Sequence, residues 1–335
     1  MIRPPTMWLG RLAVVLVWGI VFGGLTIGAS AQMVRLDRVS SLPGPVDLVR
    51  AQGERAYVVA GNTFTVYDVS SPATPTQLGS YTFPEEIWGF RVTGDRAYIG
   101  ANFFGLGILD ISDPGEPKLL GQYRTPGQTK IGAVFDTKVG IIDHMEGFVL
   151  IDVSDEYSPV GVGSFFLDGY ARDVVTLGSI AYATDSPSGL YVFDLSHPGM
   201  PEPVSVLHRP NTPRAIEVVK LSGQGMTLLC GAGGGNLQVY DVSDPTTPLH
   251  RATFETPGRA AKVSLSGSRA FVADGAAGVQ VVDLSTPTSP RLLGGVRTQR
   301  PARDVAVAGS LVFVVVGDGE REGHDREVLI FRQSS

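Results

Sequence analysis

The segment VYDVSDPTTP, residues 239–248, decides the fold, because five other segments of the chain nearly repeat it. The other copies are VYDVSSPATP (66–75), ILDISDPGEP (108–117), LIDVSDEYSP (150–159), VFDLSHPGMP (192–201) and VVDLSTPTSP (281–290). The aspartates of successive copies are separated by 42, 42, 42, 47 and 42 residues. A fixed period of this length indicates a repeat architecture.

Three further runs, rich in Val, Ile, Leu, Tyr and Phe, accompany each copy in constant order. The first runs lie at 47–51, 89–93, 132–136, 173–177, 216–220 and 261–265, and the second runs at 56–60, 97–101, 140–143, 181–185, 227–231 and 270–274. The fourth runs follow the prolines, at 76–81, 118–123, 160–165, 203–208, 250–254 and 291–296. Short runs of this composition between Gly, Pro, Asn and Asp are typical of strands joined by turns. Four antiparallel strands per unit predict a β-propeller blade.

The two ends of the chain complete the count of blades. Seventh runs occur at 304–308, 311–317 and 327–331, but the chain ends without a seventh fourth strand. The segment Val34–Leu42 resembles the fourth runs. We therefore predict an all-β, seven-bladed β-propeller over 32–335, closed by pairing of Val34–Leu42 with Glu327–Phe331. Such pairing would also hide a strand edge that could otherwise recruit other chains.

The first 31 residues form a separate segment. Two arginines precede an apolar run at 12–28, and Ala29-Ser30-Ala31 follows it. A basic start, an apolar middle and a small-residue exit predict a cleaved secretory signal peptide. The alternative is an uncleaved membrane anchor, for which 17 apolar residues lie at the short limit. We therefore expect a chain exported to the periplasm, the cell surface or the medium, with no membrane attachment once the signal is removed.

Composition excludes several classes of protein. Glycine (42) and proline (23) are too abundant for long helices. The net charge of −6 argues against a nucleic-acid partner. A single cysteine allows no intramolecular disulfide and no cysteine-based zinc site. We expect a monomer without a cofactor.

The repeated Asp-x-Ser-x-Pro element has a local physical role. Asp and Ser side chains accept hydrogen bonds from backbone amides just ahead of them, and proline then ends the strand. We therefore predict that the six repeated aspartates are structural. They are Asp68, Asp110, Asp152, Asp194, Asp241 and Asp283.

The repeats resemble the LVIVD-repeat family. The segments LIDVS, VFDLS, VVDLS and ILDIS carry the resemblance, together with A-Y-[VI]-x-[AD] upstream and P-x-x-P downstream. The resemblance implies a β-propeller-like protein that is secreted or located at the cell surface, and it implies no particular activity. The chain departs from the pattern at Asp155-Glu156-Tyr157, which lacks the first proline, and in a charged insertion at 318–327.

Candidate ligand-binding residues come from the loops that join each fourth strand to the next first strand, because small ligands of propellers usually meet that face. These residues are Trp88, Lys130, Arg172, Arg214, Arg259 and Arg303. Converging cations around a channel mouth would bind a small anion. The alternative is that Arg172 and Arg303 pair with Asp173, Asp304 or the next blade's backbone.

Other chemistry is poorly supported by the sequence. Asp143, Asp185, Asp274 and Asp318 follow second strands, where they are expected to cap turns. The sequence contains no Asp-x-Asp-x-Asp-Gly calcium loop, Gly-x-Ser-x-Gly elbow or His-Glu-x-x-His helix. We therefore predict no catalytic residues and no metal ligands.

Three functions remain open at this point. The sequence best supports a non-enzymatic scaffold that binds a protein, a glycan or a small anion at or outside the cell envelope. One alternative is a propeller hydrolase or lyase acting at the channel mouth. The other is a structural surface module, which would have no pocket.

Overall fold

Each repeat folds into an antiparallel sheet of four strands. The computed structural model describes residues 33–334, except 168, 187, 197–200, 209–214, 221–226, 234 and 319–324. The predicted signal segment, residues 1–31, and Arg214 therefore lie outside the described residues. Among the residues that are described, no helix is long and apolar enough to cross a membrane.

The described residues form seven four-stranded sheets. The first contains β2 (Leu48–Gln52), β3 (Arg55–Ala60), β4 (Thr63–Asp68) and β5 (Thr76–Thr82). The second contains β6 (Ile87–Thr93), β7 (Arg96–Ala101), β8 (Gly105–Asp110) and β9 (Lys118–Tyr123), with a 3-10 helix at Asn102–Phe104. The third contains β10 (Thr129–Phe135), β11 (Lys138–Asp143), β12 (Gly147–Asp152) and β13 (Val160–Phe165). The fourth contains β14 (Tyr170–Leu177), β15 (Ile180–Ser186), β16 (Gly189–Asp194) and β17 (Pro203–Leu207).

The remaining sheets follow the same order, apart from the last. The fifth contains β18 (Ala215–Lys220), β19 (Thr227–Gly233), β20 (Asn236–Asp241) and β21 (Leu249–Glu255). The sixth contains β22 (Lys262–Ser266), β23 (Arg269–Ala273), β24 (Val279–Asp283) and β25 (Arg291–Val296). The last contains β26 (Ala302–Ala308), β27 (Leu311–Val316), β28 (Glu327–Ser334) and, as its outer strand, β1 (Arg35–Leu42).

The two ends of the chain meet in the last sheet. Strand β1 pairs antiparallel with β28, with Leu42 opposite Val328 and Arg38 opposite Phe331. Leu42 is fully buried beside Val328 and Phe313. The outer edge of β28 is therefore covered by the chain's own N-terminal strand.

Neighbouring sheets contact one another through their first strands. The first strand of each sheet contacts the first strand of the next, and β26 of the last sheet contacts β2 of the first. The apolar core lies between neighbouring sheets. Phe64 of the first sheet, for example, packs edge-on against Phe90 of the second, with ring centres 5.6 Å apart. This all-β, repeated arrangement is that of a β-propeller.

The structural role predicted for the six repeated aspartates is confirmed. Each carboxylate accepts a hydrogen bond from the backbone N–H two residues ahead, over 2.8–3.0 Å. The donor residues are Ser70, Ser112, Ser154, Ser196, Ser243 and Ser285. The hydrogen bonds to Ser70 lower the pKa of Asp68. The repeated element therefore closes the turn between the third and fourth strands.

One hairpin departs from the others in its turn residue. The two-residue turn between first and second strands begins with a positive-φ glycine in five sheets, as at Gly53 (φ 58°), but with Asp136 (φ 51°) in the third sheet. A residue with a Cβ is strained in this region by about 1 kcal/mol. We expect Asp136→Gly to raise the free energy of unfolding by about 0.5–1 kcal/mol in urea titrations. Asp136→Ala, which keeps a Cβ, should give no gain, and a loss of stability in the glycine variant would contradict the prediction.

Candidate functional site

Charged side chains from the first strands of different sheets come close together. Six charged residues border one cavity of about 170 Å³, each from a different sheet. They are Arg50, Arg91, Asp173, Glu217, Lys262 and Asp304. Lys130, on β10, is the charged residue that the remaining sheet brings close to them. Its pKa responds to the charges of Asp173, Lys262, Arg91 and Arg50.

Asp173 contacts two basic residues of this group. Its Oδ2 atom lies 3.3 Å from the Lys262 Nζ atom, and its Oδ1 atom lies 3.9 Å from the Arg91 Nη2 atom. Both contacts cross the channel, because β14 is separated from β22 by β18 and from β6 by β10. Lys262, Lys130, Arg91 and Arg50 together lower the pKa of Asp173, despite the opposing effect of its burial. Asp173 is therefore an ionised carboxylate at neutral pH.

Asp173 and Asp304 occupy equivalent places in the repeat. Each carboxylate accepts the N–H of the residue that follows it, Val174 over 3.1 Å and Val305 over 2.9 Å. Each also accepts a backbone N–H from the next sheet, that of Ile216 over 3.3 Å and that of Val49 over 3.1 Å. These two aspartates therefore link neighbouring sheets as well as lining the channel.

The two arginines are held by backbone carbonyls and aspartates. Arg50 Nη1 donates to the Val49 carbonyl over 2.6 Å and to Asp304 over 3.1 Å. Its guanidinium carbon lies 5.6 Å from the centre of the Phe90 ring, within the range of a cation–π contact. Arg91 donates from Nε to the Gly132 carbonyl over 2.9 Å. Both guanidinium groups are thus fixed in orientation at the channel wall.

Burial changes the proton affinity of two further groups. It raises the pKa of Glu217, against the opposing effect of Arg91 and Arg50. It lowers the pKa of Lys130 to about 8, while Asp173 acts in the opposite direction. The Lys130 Nζ atom donates to the Arg172 carbonyl over 2.7 Å. Burial therefore moves the pKa values of both groups toward neutrality, upward for Glu217 and downward for Lys130.

The candidate ligand-binding residues chosen from the sequence do not lie together in the structure. Of the five that are described, Lys130 belongs to the central charged group, and none of the other four borders the cavity. The backbone carbonyl of Arg172 accepts a hydrogen bond from Lys130 Nζ. Arg303 Nε donates to the Gly317 carbonyl over 3.2 Å. Arg259 is exposed, and Trp88 Nε1 donates to Glu86 Oε2 over 3.3 Å. Arg303 therefore pairs with the backbone of its own sheet.

Sequence reasoning missed Arg50, Arg91, Glu217 and Lys262. All four lie in first strands, in the runs DLVRA, GFRVT, IEVVK and AKVSL. The signal that could have found them was a charged residue inside a short run that is otherwise suited to a buried strand.

The aspartates at the ends of the second strands bind the loops that precede the first strands. Asp143, Asp185 and Asp274 each accept the N–H of a glycine 16 residues upstream, in the loop before the first strand. Asp143 also accepts the N–H groups of Met145 and Glu146, which is the predicted turn-capping role. Burial raises the pKa of Asp274. Within the described part of the chain, no group of His, Cys, Asp and Glu side chains has the geometry of a metal site.

Solved structures with the same fold have little sequence in common with this chain. A computationally designed protein, Ika8, is 13% identical with a TM-score of 0.61, over 86% of this chain and 85% of that one. A chain of the mitotic checkpoint complex is 9% identical with a TM-score of 0.69, over 96% and 98% of the two chains. Raptor from Chaetomium thermophilum is 16% identical with a TM-score of 0.69, over 90% of this chain and 29% of that one. At these identities the likeness shows the fold alone.

Family comparison agrees with the repeat pattern. No curated protein matches the chain. The family model described as "LVIVD repeat" matches residues 43–83, 87–125, 168–205 and 257–298. These four matches span most of the sheets described above, and the chain belongs to the LVIVD-repeat family.

Proposed function

We propose that the chain is an exported, closed seven-bladed β-propeller that acts as a non-enzymatic binding scaffold, with its ligand site in the central channel. The seven four-stranded sheets and the contact between β26 and β2 support the blade count and the closed ring. Strand β1 completes the seventh blade. The export part of the proposal rests on the basic and apolar pattern of residues 1–31.

The observation that carries the binding role is the group of charges around the cavity. Charged side chains are rarely brought together in a protein interior, because removing them from water is costly. Here three acidic and three basic residues border a single cavity of about 170 Å³. A structural surface module would need neither the cavity nor the charges. We infer that they are retained because they contact a ligand.

A thermal-shift screen tests this role. The purified protein is heated with sugars, polyanions, divalent metals or organic acids, because binding to the native state raises the melting temperature by mass action. A ligand at 100 times its Kd adds about 2.7 kcal/mol, which for a domain of this size corresponds to a rise of roughly 5 °C. We expect the rise to disappear in Arg91→Met. It should persist in Arg35→Met, which changes an arginine exposed on β1.

Two outcomes would contradict the scaffold proposal. One is a screen in which no compound raises the melting temperature. The other is a rise that is the same in Arg91→Met as in the unchanged protein, which would place the ligand outside the channel.

A propeller enzyme is the second candidate, and the titratable groups of the channel favour it. A lysine with a pKa of about 8 and a carboxyl group with a raised pKa are the kind of groups that transfer protons in catalysis. The scaffold proposal predicts that each compound that raises the melting temperature is recovered unchanged after long incubation. Its conversion to a product, lost in Lys130→Met, would instead support the enzyme.

A further inference from the structure

Three groups that border the cavity have unused hydrogen-bonding capacity. Within the described part of the chain, the Nη2 atoms of Arg50 and Arg91 make no hydrogen bond. Arg91 Nη2 has only the long contact of 3.9 Å with Asp173 Oδ1. The Glu217 carboxyl group forms no ion pair or hydrogen bond with any residue that the structure describes. All three face a common space, because they border the same cavity.

The other two carboxylates of the cavity are already occupied. Asp173 accepts two backbone N–H groups and an ion pair with Lys262, and Asp304 accepts two backbone N–H groups and Arg50. A cationic ligand would therefore have to compete with these contacts. An anion would instead find the Nη2 donors of Arg50 and Arg91, which form no other hydrogen bond with the described residues.

The charge balance also favours an anion. The central group has four basic and three acidic side chains, so it carries one positive charge in excess when all are ionised. Protonation of Glu217 would raise the excess to two. A small ion with two negative charges would then neutralise the group.

This inference rests on the proposed function and names the class of ligand. We propose that the channel binds a small doubly charged oxyanion between the Arg50 and Arg91 guanidinium groups, with protonated Glu217 as a further hydrogen-bond donor. Guanidinium groups suit oxyanions because they offer paired N–H donors in one plane. A cavity of about 170 Å³ has room for several waters, and so for an ion such as sulfate or malonate.

The proposal makes binding depend on pH in a defined direction. The charged groups that surround Glu217 across the channel are Asp173, Lys262, Arg50, Arg91, Lys130 and Asp304. Burial raises the pKa of Glu217, so this carboxyl group takes up its proton at a higher pH than an exposed glutamate. Affinity for the anion should therefore fall as the pH rises and Glu217 ionises. A second fall is expected near pH 8, where Lys130 loses its charge.

Calorimetric titration with sulfate tests the proposal, because sulfate keeps its charge of −2 between pH 5 and 8.5. Ionic strength is held constant with chloride. We expect the unchanged protein to bind sulfate at least fivefold more tightly at the acid end of this pH range than at its alkaline end. Glu217→Gln, which cannot ionise, should bind more tightly than the unchanged protein wherever Glu217 is ionised. Its affinity should stay constant until Lys130 loses its charge near pH 8.

Two arginine variants separate the site from general attraction to the protein surface. Arg91→Met should weaken sulfate binding by roughly tenfold or more, the effect of losing a charge-assisted donor. Arg35→Met should leave it unchanged, because Arg35 lies on the outer strand β1. A parallel titration with malonate at pH 7.5 shows whether a dicarboxylate is preferred to a tetrahedral ion.

Three results would overturn the oxyanion proposal. The first is an unchanged affinity in Arg91→Met, and the second is the same pH dependence in Glu217→Gln as in the unchanged protein. The third is no binding of sulfate or malonate while another compound raises the melting temperature in an Arg91-dependent manner. In that last case the scaffold proposal would stand and only the class of ligand would be wrong.

Discussion

Replacing Asp304 with alanine is expected to lower the free energy of unfolding by about 3–5 kcal/mol. The Asp304 carboxylate is buried and links the last sheet to the first through the Val49 N–H and Arg50. Its removal would leave a backbone donor without an acceptor and a largely buried guanidinium group without its counter-ion. Breaking such a pair costs more than the pair contributes, because the remaining charge stays out of water. Urea unfolding followed by circular dichroism measures the loss.

Two comparisons make the Asp304 prediction specific. Asp113→Ala removes an exposed carboxylate that accepts only the Gly115 N–H in a turn, so it should cost less than about 1 kcal/mol. The double variant Asp304→Ala/Arg50→Met should lose less than the sum of the single variants, because it removes the unpaired charge as well. An Asp304→Ala variant as stable as Asp113→Ala would show that the buried carboxylate does not hold the two sheets together.

Leu42→Ala is expected to lower the free energy of unfolding by about 2–5 kcal/mol. Leu42 is fully buried on β1, and it packs in a cluster with Val46, Phe313 and Val328. Truncation would leave a cavity at the junction of the two chain ends, where the surrounding strands cannot close around it. The loss would therefore report directly on the pairing of β1 with β28, and it is measured by the same urea titration.

The matched control for Leu42 is Leu78, on the outer strand β5 of the first sheet. Leu78 is 38% exposed, so Leu78→Ala should cost less than about 1 kcal/mol. Similar small losses at both positions would mean that β1 does not complete the last sheet in solution.

The sequence was sufficient for the elements that depend on local patterns. The turn role of the six repeated aspartates follows from chemistry within two residues of each carboxylate, as the Asp68–Ser70 contact illustrates. The order of four short strands per repeat also follows from composition and turn residues. These features are short-range, so their prediction needs no knowledge of the neighbouring sheet.

Two of the candidate residues chosen from the sequence lie one position before an aspartate that borders the cavity. Arg172 stands at a bulge, where the pairing of β14 with β15 shifts register between Ala171 and Asp173. The extra residue changes the direction of the side chains around it, so the alternation of a regular strand does not predict which of them borders the cavity. The sequence analysis selected the arginine, but Asp173 borders the cavity. The same holds for Arg303 and Asp304. Nothing in the repeat pattern states which of two adjacent charged residues faces the centre.

What the sequence determined by itself is the repeat, its strands and its turns, because each is encoded within about 42 residues. Only the tertiary structure shows which charged side chains contact one another. Lys262 and Asp173 are 89 residues apart in the chain and 3.3 Å apart in the channel. That proximity arises because the first strands of different sheets come together around one cavity, a global arrangement that no single repeat contains.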